Sequence, residues 1–277
     1  MGQLLIYILY GAVSGFSQYT PVSASAHQAL FPVLFKFDSY RPLLSLMTHG
    51  GALGALLLLY WKRINHLYQQ MRLISSPPRC RKLPPDVEAV LDGKLILTAA
   101  VPALIGGFLS FIGGKTEIGL LPLALLLIGG GTAIYVTDYV PGGNRKARLM
   151  SPLEGFLLGV CAGSSVICGI SAVGLMLAVG LLRKCERSYI LDIALMIVGV
   201  MLSAMMVTDL VMILLSGFAG FSAQYLLGCL LAAAAAFGGG IGAILTMRFL
   251  AVKTGFSGFG FYSWGFGLVS FILYLMV

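Results

Sequence analysis

Six apolar runs decide what this chain can fold into. They fall at 41–61, 93–112, 118–137, 189–214, 223–247 and 259–277. An α-helix of about 20 apolar residues crosses the hydrocarbon core of a bilayer. Only helices and closed barrels satisfy their backbone groups there. The composition agrees, with 58% hydrophobic and 10% charged residues, against about 25% charged in a soluble domain. The expected fold is an all-α polytopic membrane protein, a single membrane domain over residues 1–277.

Two further apolar stretches, 3–35 and 153–182, are broken in the middle. Each reads as a re-entrant helical hairpin that enters the membrane and returns. The basic residues orient them. Segments 62–92, 138–151, 183–187 and 248–253 hold most of the Lys and Arg, which places them in the cytoplasm by the positive-inside rule. Loops 36–41, 113–117 and 215–222 hold only Lys36, Arg41 and Lys115. The topology closes if hairpin 3–35 returns outside and hairpin 153–182 returns inside. Each half is then one hairpin plus three spans, and the odd span count inverts the second half. The repeats are 1–137 and 153–277, six transmembrane helices with two opposed hairpins and both termini outside. Segment 64–92 reads as a cytoplasmic loop with a short surface helix at 64–73, because Ser75-Ser-Pro-Pro and Leu83-Pro-Pro punctuate it. The net charge of +8 follows from these loops and gives no reason to expect a nucleic-acid partner. Cys161, Cys168 and Cys229 lie in apolar segments and Cys80 and Cys185 in basic ones, without metal-ligand spacing.

The break in the first hairpin is Gly11-Ala-Val-Ser14-Gly15-Phe-Ser17-Gln18-Tyr-Thr-Pro21-Val-Ser23-Ala24-Ser25-Ala-His27. A weaker copy lies 148 positions later, so that Gly11, Gly15, Ser17 and Ser23 fall on Gly159, Gly163, Ser165 and Ser171. Polar breaks at membrane depth are tolerated where they line a cavity or are buried in protein. Paired breaks in two halves mark a binding site. Free N–H groups at such a break favour anions. Ser23 and Ser25 offer hydroxyls or a helix cap, and His27 follows Ser23 by one turn and faces the same spot. A Ser-rich helix contact without any ligand is the competing reading. An ionisable His27 within the membrane favours a site. His49, in Thr48-His-Gly-Gly51, reads equally as a structural histidine or a site residue. Asp209 reads as a residue reaching the interface, and Glu154 as a helix-start carboxylate.

These residues resemble a known family. Gly11-x3-Gly15-x5-Pro21-Val-Ser-x3-His27 is similar to the first signature of the bacterial undecaprenyl-pyrophosphate phosphatases (BacA/UppP), G-x2-E-G-x2-E-x2-P-[VI]-S-S-[ST]-G-H. His49-Gly-Gly-x-Leu53 and Tyr60-Trp61-Lys62-Arg63 resemble the second span of that family. The departures are specific. Its two acidic positions are Ser14 and Gln18, its second signature serine is Ala24, and the arginine of its P-G-x-S-R-S-G is Ala172. Carboxylates hold a divalent metal or act as a base, and an arginine stabilises developing phosphate charge.

The resemblance therefore implies a bacterial cytoplasmic-membrane protein that binds a polyprenyl phosphate or pyrophosphate lipid. Ser23, Ser25, His27, Ser171, Gln18 and His49 are its expected ligand-binding set. With the catalytic positions replaced, the first expectation is binding and translocation of undecaprenyl phosphate for cell-envelope recycling. The alternative is an undecaprenyl-diphosphatase with a rearranged site and His27 as its catalytic residue. A third is a non-catalytic membrane partner of envelope enzymes. No cofactor is expected, a divalent metal entering only with the phosphatase. The oligomeric state stays open, a homodimer included.

Overall fold

The computed structural model describes residues 2–37, 41–76, 84–113, 119–217 and 221–276. Ten α-helices occupy them: α1 (Gly2–Tyr19), α2 (Ala24–Phe35), α3 (Pro42–Ser75), α4 (Val87–Gly113), α5 (Leu120–Thr137), α6 (Pro152–Gly163), α7 (Ala172–Leu182), α8 (Arg187–Ser216), α9 (Ala223–Lys253) and α10 (Ser257–Met276). Six of them, α3, α4, α5, α8, α9 and α10, are long and apolar enough to cross a membrane, one for each run read from the sequence. The protein is an all-α polytopic membrane protein.

Local chemistry sets the helix starts. Proline stands in the first turn of α3 and α6, where its missing N–H costs nothing. Ser222 caps α9 through the N–H of Tyr225. Ser151 and Glu154 close a full capping box on α6, and Glu154 also pairs with Arg145 and Arg183. One expectation needs correction. The chain does not leave the helix at residue 64, because α3 runs unbroken to Ser75. Helix-favouring Gln69, Gln70, Met71 and Arg72 carry it there, and no Gly or Pro intervenes before Pro77. Helix α4 likewise begins at Val87. The middle of that segment, 77–83, and Cys80 with it lie outside the described residues, as do 38–40, 114–118 and 218–220.

Helix α8 is the axis of the core. Ile190, Leu191, Ile193, Ala194, Leu195, Met196, Ile197 and Val198 are all buried, and a helix apolar on every side must be surrounded. The main pairings are α1 with α9, α6 with α4, α3 with α9, α8 with α4, α3 with α8, and α5 with α10. Exchanging α1–α5 for α6–α10 in order maps this set onto itself. Gly11 and Gly15 of α1 face the Ala232 and Ala236 carbonyls of α9, and Gly159 and Gly163 of α6 face the Ala99 and Pro102 carbonyls of α4. A methyl group at any of the four would run into backbone. The glycines of the motif and of its copy thus set helix–helix distance, the usual task of small residues in membrane helices.

The four basic segments gather at one end. Arg63 bridges Asp92 and Asp192, Arg248 stacks on Tyr60 and reaches Asp192, Lys146 pairs with Glu186, and Arg187 with Asp138. Tyr60 and Tyr189 donate to the same two aspartates that hold Arg63. At another end, Lys36, Arg41, Gln3 and Ser222 border one cavity of about 470 Å³.

Candidate functional site

Two backbone breaks build the site. The first separates α1 from α2 at 20–23, and the second separates α6 from α7 at 164–171. Ser23 caps α2 by accepting from the Ala26 N–H, 3.2 Å away. Ser171 caps α7 by accepting from the Gly174 N–H, 3.1 Å away. Equivalent positions in motif and copy therefore perform the same task. The parallel extends to Ser17 and Ser165, whose hydroxyls each return to a carbonyl of the preceding turn.

The two breaks touch. The Ser171 hydroxyl donates to the Thr20 carbonyl at 3.3 Å, and Ser25 lies against the Cys168 thiol. Between them Pro21, Ser23, Gly169, Ser171 and Gly174 line a cavity of about 220 Å³ with Leu125–Leu127 and Gly129–Gly131 of α5. Gly169 there has φ +96° and Leu126 packed beside it, so a side chain would meet both strain and collision. A larger cavity of about 830 Å³ lies on the far side of His27. Ala12, Val13, Phe16 and Ser17 of α1 form one wall, and Thr254, Ser257, Phe259 and Tyr262 form another.

His27 is buried and held at both ring nitrogens. Nδ1 lies 2.7 Å from the Ser23 carbonyl, which can only accept, so Nδ1 carries the hydrogen. The neutral ring then presents a lone pair at Nε2, and the Tyr262 hydroxyl, 2.6 Å away, donates to it. Phe266 stacks on the imidazole with ring centroids 4.4 Å apart. The result is a neutral base of fixed tautomer facing the larger cavity.

The expected site residues divide. His27 lines the larger cavity, Ser23 and Ser171 line the smaller one, and Ser25 joins them through an Oγ–Oγ hydrogen bond to Ser23 of 3.0 Å. Gln18 and Ser14 are buried on α1 and border neither cavity. Ala24 and Ala172 are the first residues of α2 and α7. His49 stands apart, bonded to Asp209 at 2.8 Å. The sequence reading did not include Tyr262 or Phe266. They lie far along the chain in a Gly- and aromatic-rich span, and the one available signal was a phenol within an apolar segment.

Among the described residues, no Asp, Glu, Lys or Arg lines either cavity. A divalent cation needs hard oxygen donors, usually carboxylates. The described residues contain no cluster of three or more His, Cys, Asp or Glu, and Ser14 and Gln18 occupy the acidic positions. The donor set does not fit such an ion.

Residues 7–269 match the family of the bacitracin resistance protein BacA. The chain belongs to that family. Curated relatives carry the name undecaprenyl-diphosphatase. One from Desulforudis audaxviator is 28% identical over 65% of this chain and 66% of its own length, so the match spans just under two thirds of that relative. One from Methanosphaera stadtmanae is 27% identical over 68% of this chain and 70% of its own. One from Thermodesulfovibrio yellowstonii is 22% identical over 99% of this chain and 98% of its own.

Proposed function

We propose that this BacA-family protein takes an undecaprenyl (polyprenyl) pyrophosphate or phosphate lipid, with the head group at His27 and the first isoprenoid units in the 830 Å³ cavity. The activity assigned first is the one its relatives are named for, conversion of undecaprenyl pyrophosphate to undecaprenyl phosphate. One observation carries the assignment. A base of fixed tautomer opens on a largely apolar cavity at the meeting point of two helix breaks.

With carboxylates and arginine replaced, His27 acts as nucleophile. Tyr262 withdraws and Nε2 attacks the terminal phosphorus. An N–P bond forms, the bridging P–O bond breaks, and undecaprenyl phosphate leaves. Water then cleaves the phosphohistidine and releases orthophosphate. The Ser23 carbonyl stabilises the ring's developing positive charge through Nδ1–H. The N-terminal dipoles of α2 and α7, capped by Ser23 and Ser171, favour the anionic head group.

A second reading, binding with translocation of undecaprenyl phosphate, is favoured by a separate observation. Among the described residues, neither cavity is lined by a formally charged side chain that could stabilise a cleavage transition state, and electrostatic groups of that kind commonly supply about 10²–10³ in rate each. The pairing of helices that survives exchange of the halves supports opposed re-entrant hairpins in an inverted repeat, the usual basis of alternating access. In this reading the basic end faces the cytoplasm of the bacterial inner membrane.

Purified protein in proteoliposomes decides between them. Orthophosphate release from undecaprenyl pyrophosphate that disappears in His27→Ala supports hydrolysis. Transbilayer movement of undecaprenyl phosphate without release supports translocation. Neither binding nor movement nor release overturns both.

A further inference from the structure

A separate cavity of about 550 Å³ lies at the basic end, between the starts of α4 and α8 and the short 3₁₀ turn Ala147–Leu149. Its volume is in the range of small-molecule sites. Arg63, Asp92, Tyr189 and Asp192 form the floor, with Asp92 and Tyr189 buried. Arg63 donates to both carboxylates, and Tyr189 donates to Asp92, so the floor charges are already committed. The rim differs. Lys146 pairs with Glu186 at 3.0 Å and Arg148 with Glu88 at 3.7 Å, and these four side chains are 39–65% exposed. Lys146 also lies within the field of Glu88 and Asp92, which puts both rim pairs around one mouth. Buried Ala147 anchors the turn that carries Lys146 and Arg148.

We propose that this cavity is a ligand site distinct from the one at His27, and that it binds a zwitterionic head group bearing a phosphate and a primary ammonium, the chemistry of phosphatidylethanolamine. Exposed ion pairs like those of the rim are weak, so a ligand opens them at little cost. A lone anion would take Lys146 and Arg148 and strand Glu88 and Glu186. A lone cation would do the reverse. A zwitterion replaces both pairs at once and leaves no rim charge unmatched. The Arg148 guanidinium suits two phosphate oxygens, and the Lys146 ammonium suits a third. Glu88 and Glu186 accept from the N–H groups of the ligand's ammonium, which a quaternary ammonium lacks.

The setting fits a lipid source. Spans α4 and α8 begin at this cavity, which places its mouth at head-group depth. Leu149, exposed at the rim, offers an apolar edge to the glycerol and acyl part. Asn144 and Ser188 line the same cavity and add neutral donors for ester oxygens. The assignment does not rest on the lipid reading at His27, because the two cavities share no lining residue.

The test is calorimetric titration of the full-length protein in detergent with short-chain dihexanoyl lipids. The phosphatidylethanolamine should bind saturably, and about tenfold or more tightly than the phosphatidylcholine, which lacks N–H donors, or the phosphatidylglycerol, which lacks a cation. The paired variants Lys146→Ala/Arg148→Ala and Glu88→Gln/Glu186→Gln should each weaken that binding by about tenfold or more, with thermal midpoints near wild type because the side chains are exposed. Lys62→Ala, an exposed basic change outside the cavity, should leave it unaltered. Soluble O-phosphoethanolamine separates the sources. Equal affinity places recognition in the free head-group chemistry, and weaker affinity adds the lipid's acyl part. If a variant is destabilised, the wild-type selectivity among the three lipids still decides. No saturable binding, equal affinity for the three lipids, or binding unmoved by either folded paired variant overturns the assignment.

Discussion

The break between α1 and α2 and the break between α6 and α7 share a frame but not a chemistry. In both, glycines on the entering helix face backbone carbonyls of a partner helix, and a serine caps the leaving helix. Only the first adds an imidazole, stacked on Phe266 and hydrogen-bonded to Tyr262, beside a cavity of about 830 Å³. The second adds Gly169 with positive φ and a cavity of about 220 Å³. Where the family signature has an arginine, the second break has Ala172. In the proposed function this shared architecture is the frame of the site, and the unequal chemistry assigns its reactive group to the first break.

The strongest way to break this comparison is to remove the reactive group. His27→Ala should lower phosphate release or lipid binding by about 100-fold or more, while Ser171→Ala should lower it by less than about tenfold. Equal losses would show that the two breaks contribute alike. Next in size is the frame. Gly15→Leu and Gly159→Leu each drive a side chain into a backbone carbonyl and should each cost about 1–3 kcal/mol, read as lowered thermal midpoints in detergent. Loss in one only would end the equivalence of the two contacts. The caps follow. Ser23→Ala and Ser171→Ala should each cost about 1 kcal/mol, measured the same way.

The smallest effect lies outside both breaks, at the polar segment between α3 and α4. His66 Nε2 lies 3.1 Å from Asp86 Oδ2, and this bond holds the Asp86 carboxyl below its usual value. A depressed carboxyl contributes stability above its unfolded value, and that contribution is lost as pH falls through the folded value. Both side chains are solvent-exposed, so Asp86→Asn should change the acid-side slope of thermal stability only slightly and leave the site untouched.

Much of the fold was legible because hydropathy over about 20 residues is a strong signal. Each of the six apolar runs became a long apolar helix, and the basic segments used to orient the chain meet at one end. The continuation of α3 to Ser75 was missed because hydropathy registers where apolar character stops, not where the helix stops. Of the candidate site, spacing around the breaks pointed to Ser23, Ser171 and His27, and the structure places them on the walls of the two cavities. Tyr262 was not, because its meeting with His27 depends on packing between helices 235 positions apart. The His49–Asp209 pair was half legible. Two ionisable residues in separate spans are costly alone, but the sequence does not say which one each will meet.

The central claim is that the lipid head group sits at His27. Titrating ¹⁵N-histidine-labelled protein with undecaprenyl phosphate in detergent tests it directly. The account predicts that the His27 ring nitrogens shift saturably, that His66 does not move, and that Tyr262→Phe alters the His27 response. A saturable lipid response confined to His49 or His66, with His27 unmoved, would contradict it.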